Sequence, residues 1–500
     1  MTTTTPERIV SDSGLPALLR NDPDAALRTP YGLAPGSGPL LDPATLRDQI
    51  LPRWREGVDR QVKALVKRAR STLETLSGDA LYSRLDDPLH RRAALIAELF
   101  RTHTVVKNAG RLDVRTLQQS LAGALEAGGP LRFEIAWGQV KRGLAGLKTA
   151  GPYADLAEAL AIGRLTALMR AAGQLLDGEV RLTVLTGGTR FQDALLTRPE
   201  QLAAYDAQRQ AVADALGASG TVVFGDFVAA RTDADRTAWQ EIYQRTLAAT
   251  SDEEITARLH TVAFNVDWDT VLTQAADGAA PHGVALPDRL TAWLAGAPAE
   301  RGPFLIRAAT TCLVNPGLQQ HWEQQLADTE DGEDLLEDAI DFFAHIAWEA
   351  TRRYAAIHAA DREAATGGTT GAGATTGTDT TTDAPSAGGE AAPARAIRLT
   401  VHEKRDRPAM PALAILGMRA PGLLPQHLAA HLADGGRTEV GTMAELHSQL
   451  PSALPVHLTD EAAAHPVFDW LAGTGQPLCL VSPDTDWQRS LALALDPEQG

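Results

Sequence analysis

Three short apolar runs separated by two amphipathic stretches place the tightest limit on what this chain can fold into. "PLRFEIAW" (130–137), "EVRLTVL" (179–185) and "TVVFGDF" (221–227) each have the length and the aromatic or β-branched content of a strand. Between them, "YADLAEALAIGRLTALMRAAGQLL" and "PEQLAAYDAQRQAVADAL" carry apolar residues at helical spacing. Strand, helix, strand, helix, strand predicts a βαβαβ unit, hence an α/β, Rossmann-like fold with a mostly parallel sheet flanked by helices. Ligands of such sheets sit beyond the C-terminal ends of the strands, so the loops that follow these runs are the places to look for chemistry.

The flanks add further parts. Residues 1–43 are rich in Pro, Gly and Thr and predict an extended N-terminal arm. From 44 to about 128, helical spacing predicts three or four helices closed by Gly128 and Gly129. This helical N-terminal layer, the Rossmann-like core and a helical middle form one region over 44–363, with Trp239, Trp268, Trp293, Trp322 and Trp348 as packing anchors. Residues 364–394, almost wholly Gly, Thr, Ala and Asp, cannot bury enough apolar surface to fold and predict a disordered insertion. The chain then returns with "IRLTVH" (397–402), a strand expected to end on His402. Residues 395–500 form a C-terminal part that completes the site, including a small α+β lobe from 422 onward.

Length and composition supply enough apolar material for a full core, and no run approaches the roughly 18 apolar residues of a membrane span. The start "MTTTTPERIVSDSG" has no apolar run behind a basic segment, so a cytoplasmic location is expected. A formal net charge of -17 argues against nucleic acid and anionic membrane as partners, because both demand cations that displace counterions from phosphate. Small-molecule substrates are the expected partners, and the large apolar helices are compatible with a homodimer. Cys312 and Cys479 each stand alone in an apolar setting and predict buried, reduced thiols.

"KRGLAGLKTAGPYADLAEAL" (141–160) sets Lys141 and Lys148 in a Gly-containing loop before a helix with Asp155 and Glu158 in its first turns. Carboxylates there suit the positive end of a helix. Cations at a sheet's C-terminal edge are placed to hold a phosphate or to touch an amine or carbonyl. "TGGT" (186–189) follows a strand, and its glycines would let backbone N–H groups converge on an anion, although such a turn also simply ends a strand. On a helix, "HLAAH" (427–431) would carry the two-His face of a zinc protease, but the Glu and a third ligand are missing, so no metal is expected. No P-loop, no nucleophile elbow and no G-x-G-x-x-G opening a helix occurs.

Taken in order, several segments resemble the isocyanide (isonitrile) synthases related to pyoverdine and dityrosine biosynthesis proteins. "LKTAGPYADLAEALAIGRL" keeps the spacing of the family's first motif at Lys148, Asp155, Glu158 and Leu160. "LTVLTGGTRFQDALLTRPEQLAAY" supplies Gly188, Phe191, Asp193 and Tyr205 for the second. "IRLTVH" matches Ile-Arg-Leu-Ser-Ile-His with Arg398 and His402, and "LPQHLAAHLADGG" offers His427 for a later Pro-Trp-His strand. The likeness runs over roughly 90–440 without the helical middle. It departs from the pattern at Gly187, where the family has Asp, and at Gln426, where it has Trp. A Lys of the family's first loop matches Lys141 with a one-residue shift, Arg142 standing at the ungapped position.

The resemblance implies an enzyme of bacterial secondary metabolism that turns an amino acid's amine into an isonitrile. Ribulose 5-phosphate is the carbon donor, and no cofactor or metal takes part. It further implies Lys141, Arg142, Lys148 and Arg398 as phosphate or carboxylate binders and His402 and His427 as proton carriers. Asp193 or Glu158 would orient a histidine or hold the amine. The departures also suit a divergent member with another lyase or transferase reaction on an amino acid or sugar phosphate, or a catalytically silent binding protein.

Overall fold

The strand and helix alternation builds a four-stranded sheet whose neighbours are all parallel. The computed structural model describes residues 15–22, 24–30, 38–76, 81–138, 140–187, 190–226, 233–367, 396–404, 407–417, 424–459 and 467–496. Gly188, Arg405 and most of the 364–394 tract lie outside the described residues. The stretch read as an extended arm holds two short helices, Leu15–Asn21 and Asp24–Arg28, and ends in strand β1 (Leu40–Leu41). The expected helical layer follows as α1 (Leu51–Thr75), α2 (Pro88–Thr102) and α3 (Val114–Glu126). Gly128 and Gly129 close it at φ of +77° and +79°, a region that only glycine enters freely.

The core unit is β2 (Leu131–Trp137), α4 (Leu156–Leu176), β3 (Val180–Thr186), α5 (Pro199–Ala215) and β4 (Val222–Asp226). Two helices of the middle matter below, α6 (Pro298–Val314) and α7 (Gly332–Gly367). Only then does the chain return as β5 (Ile397–Leu399), which pairs with β2 and gives the order β4-β3-β2-β5. β2 alternates, with Leu131, Phe133, Ile135 and Trp137 buried and Arg132 and Ala136 exposed. The buried face meets the helical layer, where Phe100 of α2 lies 5.6 Å from Phe133. α4 is buried around most of its circumference because it sits between this sheet and α1 and α2.

A second, mixed sheet comprises β6 (Ala429–Leu432), β7 (Thr438–Gly441), β8 (Leu454–Leu458) and β9 (Cys479–Val481), with β1 on its edge. Helix α8 (Met443–Gln449) follows β7, and α9 (Trp487–Leu493) comes last. This is the expected small α+β lobe, except that it borrows a strand from near the other end of the chain through the pair Leu40–His457. α1 clamps the same lobe. The Trp54 indole N–H donates to Leu491 O at 2.7 Å, and Gly57 lets the helix approach Leu495 O, where a Cβ would collide.

A second apolar core holds the helical middle together, with Trp268 stacked on Phe343 at 4.4 Å and Trp322 against Phe304. Trp239, Trp293 and Trp348 are only half-buried. Both cysteines are free and buried, and burial pushes the Cys312 thiol up to about 12. Among the described residues, no helix is long and apolar enough to cross a membrane.

Candidate functional site

The loop that leaves β2 is folded back on itself so that its three cations point inward. Gly138 opens it because a Cβ there would collide with the Gln426 side chain. At its tip Leu144 and Ala145 both adopt φ of +49°, a left-handed conformation that costs on the order of 1 kcal/mol per non-glycine residue. The turn is held by Gly146 and Lys148 N–H groups donating to Gly143 O, each at 3.1 Å, and by the buried Arg307 guanidinium of α6 donating to Ala145 O. The orphan N–H groups at the start of α8 find partners here too, Met443 N–H on Lys148 O and Ala444 N–H on Leu147 O.

Lys141, completely buried, directs its Nζ at two carboxylates from the first turn of α4. It lies 2.9 Å from Asp155 Oδ1, 2.9 Å from Glu158 Oε2 and 3.3 Å from Pro425 O. Asp155 caps the helix by accepting from Ala157 N–H, and Glu158 returns the bond by accepting from Asp155 N–H at 2.9 Å, a complete capping box. Tyr205 of α5 adds its hydroxyl, donating to Glu158 Oε1 at 2.6 Å. The Arg209 guanidinium lies over the Tyr205 ring at 4.3 Å.

Two buried carboxylates against one ammonium leave the cluster one positive charge short, so it holds a proton that isolated carboxylates would release. Burial raises the Asp155 carboxyl and the Glu158 charge adds to the rise, while Lys141 opposes both. Burial by itself would lower the Lys141 ammonium, and the two carboxylates more than reverse this and leave it raised.

The sign of the linkage gives a test. Asp155 moves from 3.8 to about 8 on folding, so the native state binds the extra proton between those values. The associated stability is present in acid and is lost as pH rises through about 8. Asp155→Asn keeps a capping side chain but cannot titrate. The thermal midpoint of the wild type, relative to that variant, should therefore fall as pH rises across this window. Parallel curves would show that Asp155 does not carry the proton.

Around this cluster lie three more of the expected residues. Lys148 donates from Nζ to Asn265 Oδ1 at 2.6 Å and to Phe264 O at 3.1 Å. Arg142 places Nη1 3.2 Å from Asp267 Oδ2 and donates to Thr197 Oγ1 through Nη2. His427 is buried in the turn before β6, with Nε2 facing the Gln426 amide nitrogen at 3.2 Å and, among the described residues, no hydrogen-bond partner for Nδ1. Burial, then the charges of Lys148, Lys141, Arg142 and His402, hold His427 well below the usual imidazole range, so the ring is neutral at pH 7. A cavity of about 130 Å³ opens here, lined among others by Lys141, Arg142, Gln201, Asp267, Trp268 and Asp269.

Other expected residues stand outside the buried cluster itself, although the His402 charge still reaches His427. β5 stops at Leu399, Thr400 makes one further bridge to Ala412, and a bend follows, so His402 stands exposed beyond the strand rather than at its end. Arg398 sits opposite Glu134 in the sheet register, Nη2 3.9 Å from its Oε2. Phe191 stacks on Tyr354 of α7 at 4.9 Å. Asp193 is largely exposed and pairs with Arg353 of α7 at 3.5 Å. "HLAAH" is not helical: His427 ends a turn and His431 lies on β6, where every residue is buried between β7 and β9. Among the described residues, no three His, Cys, Asp or Glu side chains gather as metal ligands would.

Several neighbours of the cluster were not singled out from the sequence. Gln476, from the second sheet's side, donates to Tyr153 O at 2.8 Å and accepts from Tyr153 N–H at 3.0 Å. It packs so closely that Gly151 has no room for a Cβ. Asn265 and Asp267 precede the helix Trp268–Ala276, which Asp267 caps. Each belongs to a segment remote in sequence, and no local motif marks it.

No protein-family model matches the chain, and no curated protein sequence is similar to it. Among solved structures it is similar to the PvcA protein from Pseudomonas aeruginosa, at 15% identity and a TM-score of 0.39. That likeness covers 79% of this chain and 100% of the other.

Proposed function

We propose that this chain is an isocyanide synthase-like enzyme. On this reading it joins the amine of an amino acid to the carbonyl of ribulose 5-phosphate and carries that carbonyl carbon forward as the isocyanide carbon. One observation carries the reading. The buried Lys141, Asp155, Glu158 and Tyr205 cluster meets Lys148, Arg142 and the neutral His427 beyond the C-terminal end of β2, where open parallel sheets bind ligands.

The chemistry assigns each a task. Condensation of the amine with the carbonyl releases water and forms an imine, and both carbon–carbon bonds of the former carbonyl carbon must then break, so that the other sugar carbons leave alongside the phosphate. His427, neutral because it is buried among cations, is the base that takes protons from the amine and from carbon next to the imine. The proton retained by Asp155 is available to the departing phosphate, and the Lys148 and Arg142 charges stabilise anions that develop nearby. Arg398 and His402 are assigned to the rim of the same site.

Asp193 favours a second reading. Its pairing with Arg353 at the surface, together with Gly187 in place of the family Asp, suits a different lyase or transferase reaction on the same substrates. Incubation with each amino acid and ribulose 5-phosphate, followed by mass spectrometry, separates the two. The expected product has gained one carbon and lost the amine hydrogens. No such product with any amino acid, while ribulose 5-phosphate still raises the thermal midpoint, would favour the second reading. Absence of both responses would leave a silent binding protein.

A further inference from the structure

We infer that the two short N-terminal helices, Leu15–Asn21 and Asp24–Arg28, form a clasp that sets the Lys148 end of the loop after β2, with Arg307 of α6 as the positioning residue that fastens it. The loop needs such a fastening, because two consecutive non-glycine residues with left-handed backbone, Leu144 and Ala145, persist only where their surroundings over-determine them. Arg307, 1% exposed, supplies one part. Its Nη2 donates to Ala145 O at the loop tip and to Pro30 O at 2.9 Å, while Nη1 donates to Thr29 O and to Ala26 O at 3.3 Å. One guanidinium thus ties three carbonyls of residues 26–30 to the strained tip. Thr29 is itself buried and anchored, its Oγ1 donating to Ala25 O at 2.6 Å.

Apolar packing and α8 supply the rest. Leu15, Leu19 and Ala26 are fully buried in the same apolar core as Leu144 and Leu147 of the loop and Ala444 of α8. Asn315, which follows α6, donates from its side chain to Leu19 O at 3.4 Å, and the Ser448 hydroxyl of α8 reaches Asp22 Oδ2 at 3.5 Å. The first N–H groups of α8 in turn hold Leu147 O and Lys148 O. The clasp therefore bears on the loop at two points, at Ala145 through Arg307 and at Lys148 through α8. Lifting it leaves Arg307 buried without three of its acceptors, a costly state that the guanidinium relieves by moving toward water, and Ala145 O is released with it. Lys141 is fastened differently, by Asp155 and Glu158 of α4, and stays in place. A segment remote in sequence from the loop thus governs where the Lys148 ammonium lies.

Acetylation of the full chain with acetic anhydride, followed by peptide mass spectrometry, reads this directly. The Lys148 ammonium is buried on Asn265 Oδ1 and Phe264 O while the clasp is closed, and Lys141 serves as the internal reference. Leu15→Asp combined with Leu19→Asp lifts the clasp, and Arg307→Met removes its fastening. Each should speed acetylation of Lys148 by about tenfold or more, the change that follows loss of one charged hydrogen bond, while Lys141 reacts as slowly as in the wild type. Lys148 protected as in the wild type, or Lys141 and Lys148 labelled to the same extent, would overturn the inference. Hydrogen exchange on the unaltered chain gives a second test that needs no variant to fold. At low denaturant the amides of Thr29, Lys148, Met443 and Ala444 should open as one unit, ahead of those of β2 and β3. Separate opening of Thr29 and Lys148 would overturn the coupling. Both readouts report the loop whether or not isocyanide forms, so the clasp and the reaction fail separately. Full turnover in a variant whose Lys148 is labelled would remove Lys148 from the reaction and keep the clasp.

Discussion

Lys141→Met should lower the unfolding free energy by about 3–5 kcal/mol at pH 8, the range found when one partner of a buried charge group is removed. Met keeps the length and most of the volume of the Lys stem, so little of the loss comes from packing. What remains is Asp155 and Glu158 buried without the ammonium that pairs with both. The variant can escape only by taking up protons there, and the Asp155 carboxyl, already raised by burial, then rises further above its unfolded value. Its stability should accordingly recover in acid and fall as pH rises, which is the sign expected when the folded state binds the extra protons. Adding Asp155→Asn and Glu158→Gln to Lys141→Met removes the uncompensated charge and should restore much of the loss. Denaturant midpoints for the single and triple variants at pH 5 and pH 8 decide the matter. A single variant within about 0.5 kcal/mol of wild type, the scatter of ordinary surface changes, would mean that Lys141 is not what keeps those carboxylates inside.

That cluster also shows how far the amino-acid sequence can be read. β2, β3 and β4 match their apolar runs to within a residue, and α4 and α5 match their periodic stretches, because each is a local pattern whose period names its own structure. The capping box at Asp155 and Glu158 is local in the same way. Its meeting with Lys141 was legible only as a loop of cations ahead of a helix. That the loop folds back depends on Arg307 and on the first turn of α8, hundreds of residues further on.

Short apolar segments were the harder cases. "HLAAH" has the spacing of a helix face, but residues 429–432 are buried on both sides between two strands, and complete burial overrides periodicity in so short a run. "IRLTVH" made a strand of three residues instead of six, since the Thr400 hydroxyl accepts from His402 N–H and turns the chain out of the sheet. Asp193 illustrates the limit from the other side. Its place after β3 suggested a site residue, while its ion pair with Arg353 depends on where α7 happens to lie.

His427→Ala should reduce isocyanide formation by 10²–10⁴-fold, the usual contribution of a positioned acid–base group, while leaving the denaturant midpoint close to that of wild type. Among the described residues its Nδ1 has no partner and its one side-chain hydrogen bond is to the neighbouring Gln426, so no polar network depends on the ring. Burial, joined by the charges of Lys148, Lys141, Arg142 and His402, opposes the charged form, so the ring stays neutral where an ordinary histidine would begin to protonate. The acid limb of kcat/KM should therefore fall below the ordinary imidazole range. His402 sharpens the test, since its charge is one of those that hold His427 down. His402→Ala removes that charge, lets the His427 value rise and should move the acid limb to higher pH. A histidine that was merely structural would leave the limb where it was. Full turnover in His427→Ala, or a limb that does not move in His402→Ala, would return the proton transfer to Asp155, whose carboxyl burial raises against the pull of Lys141.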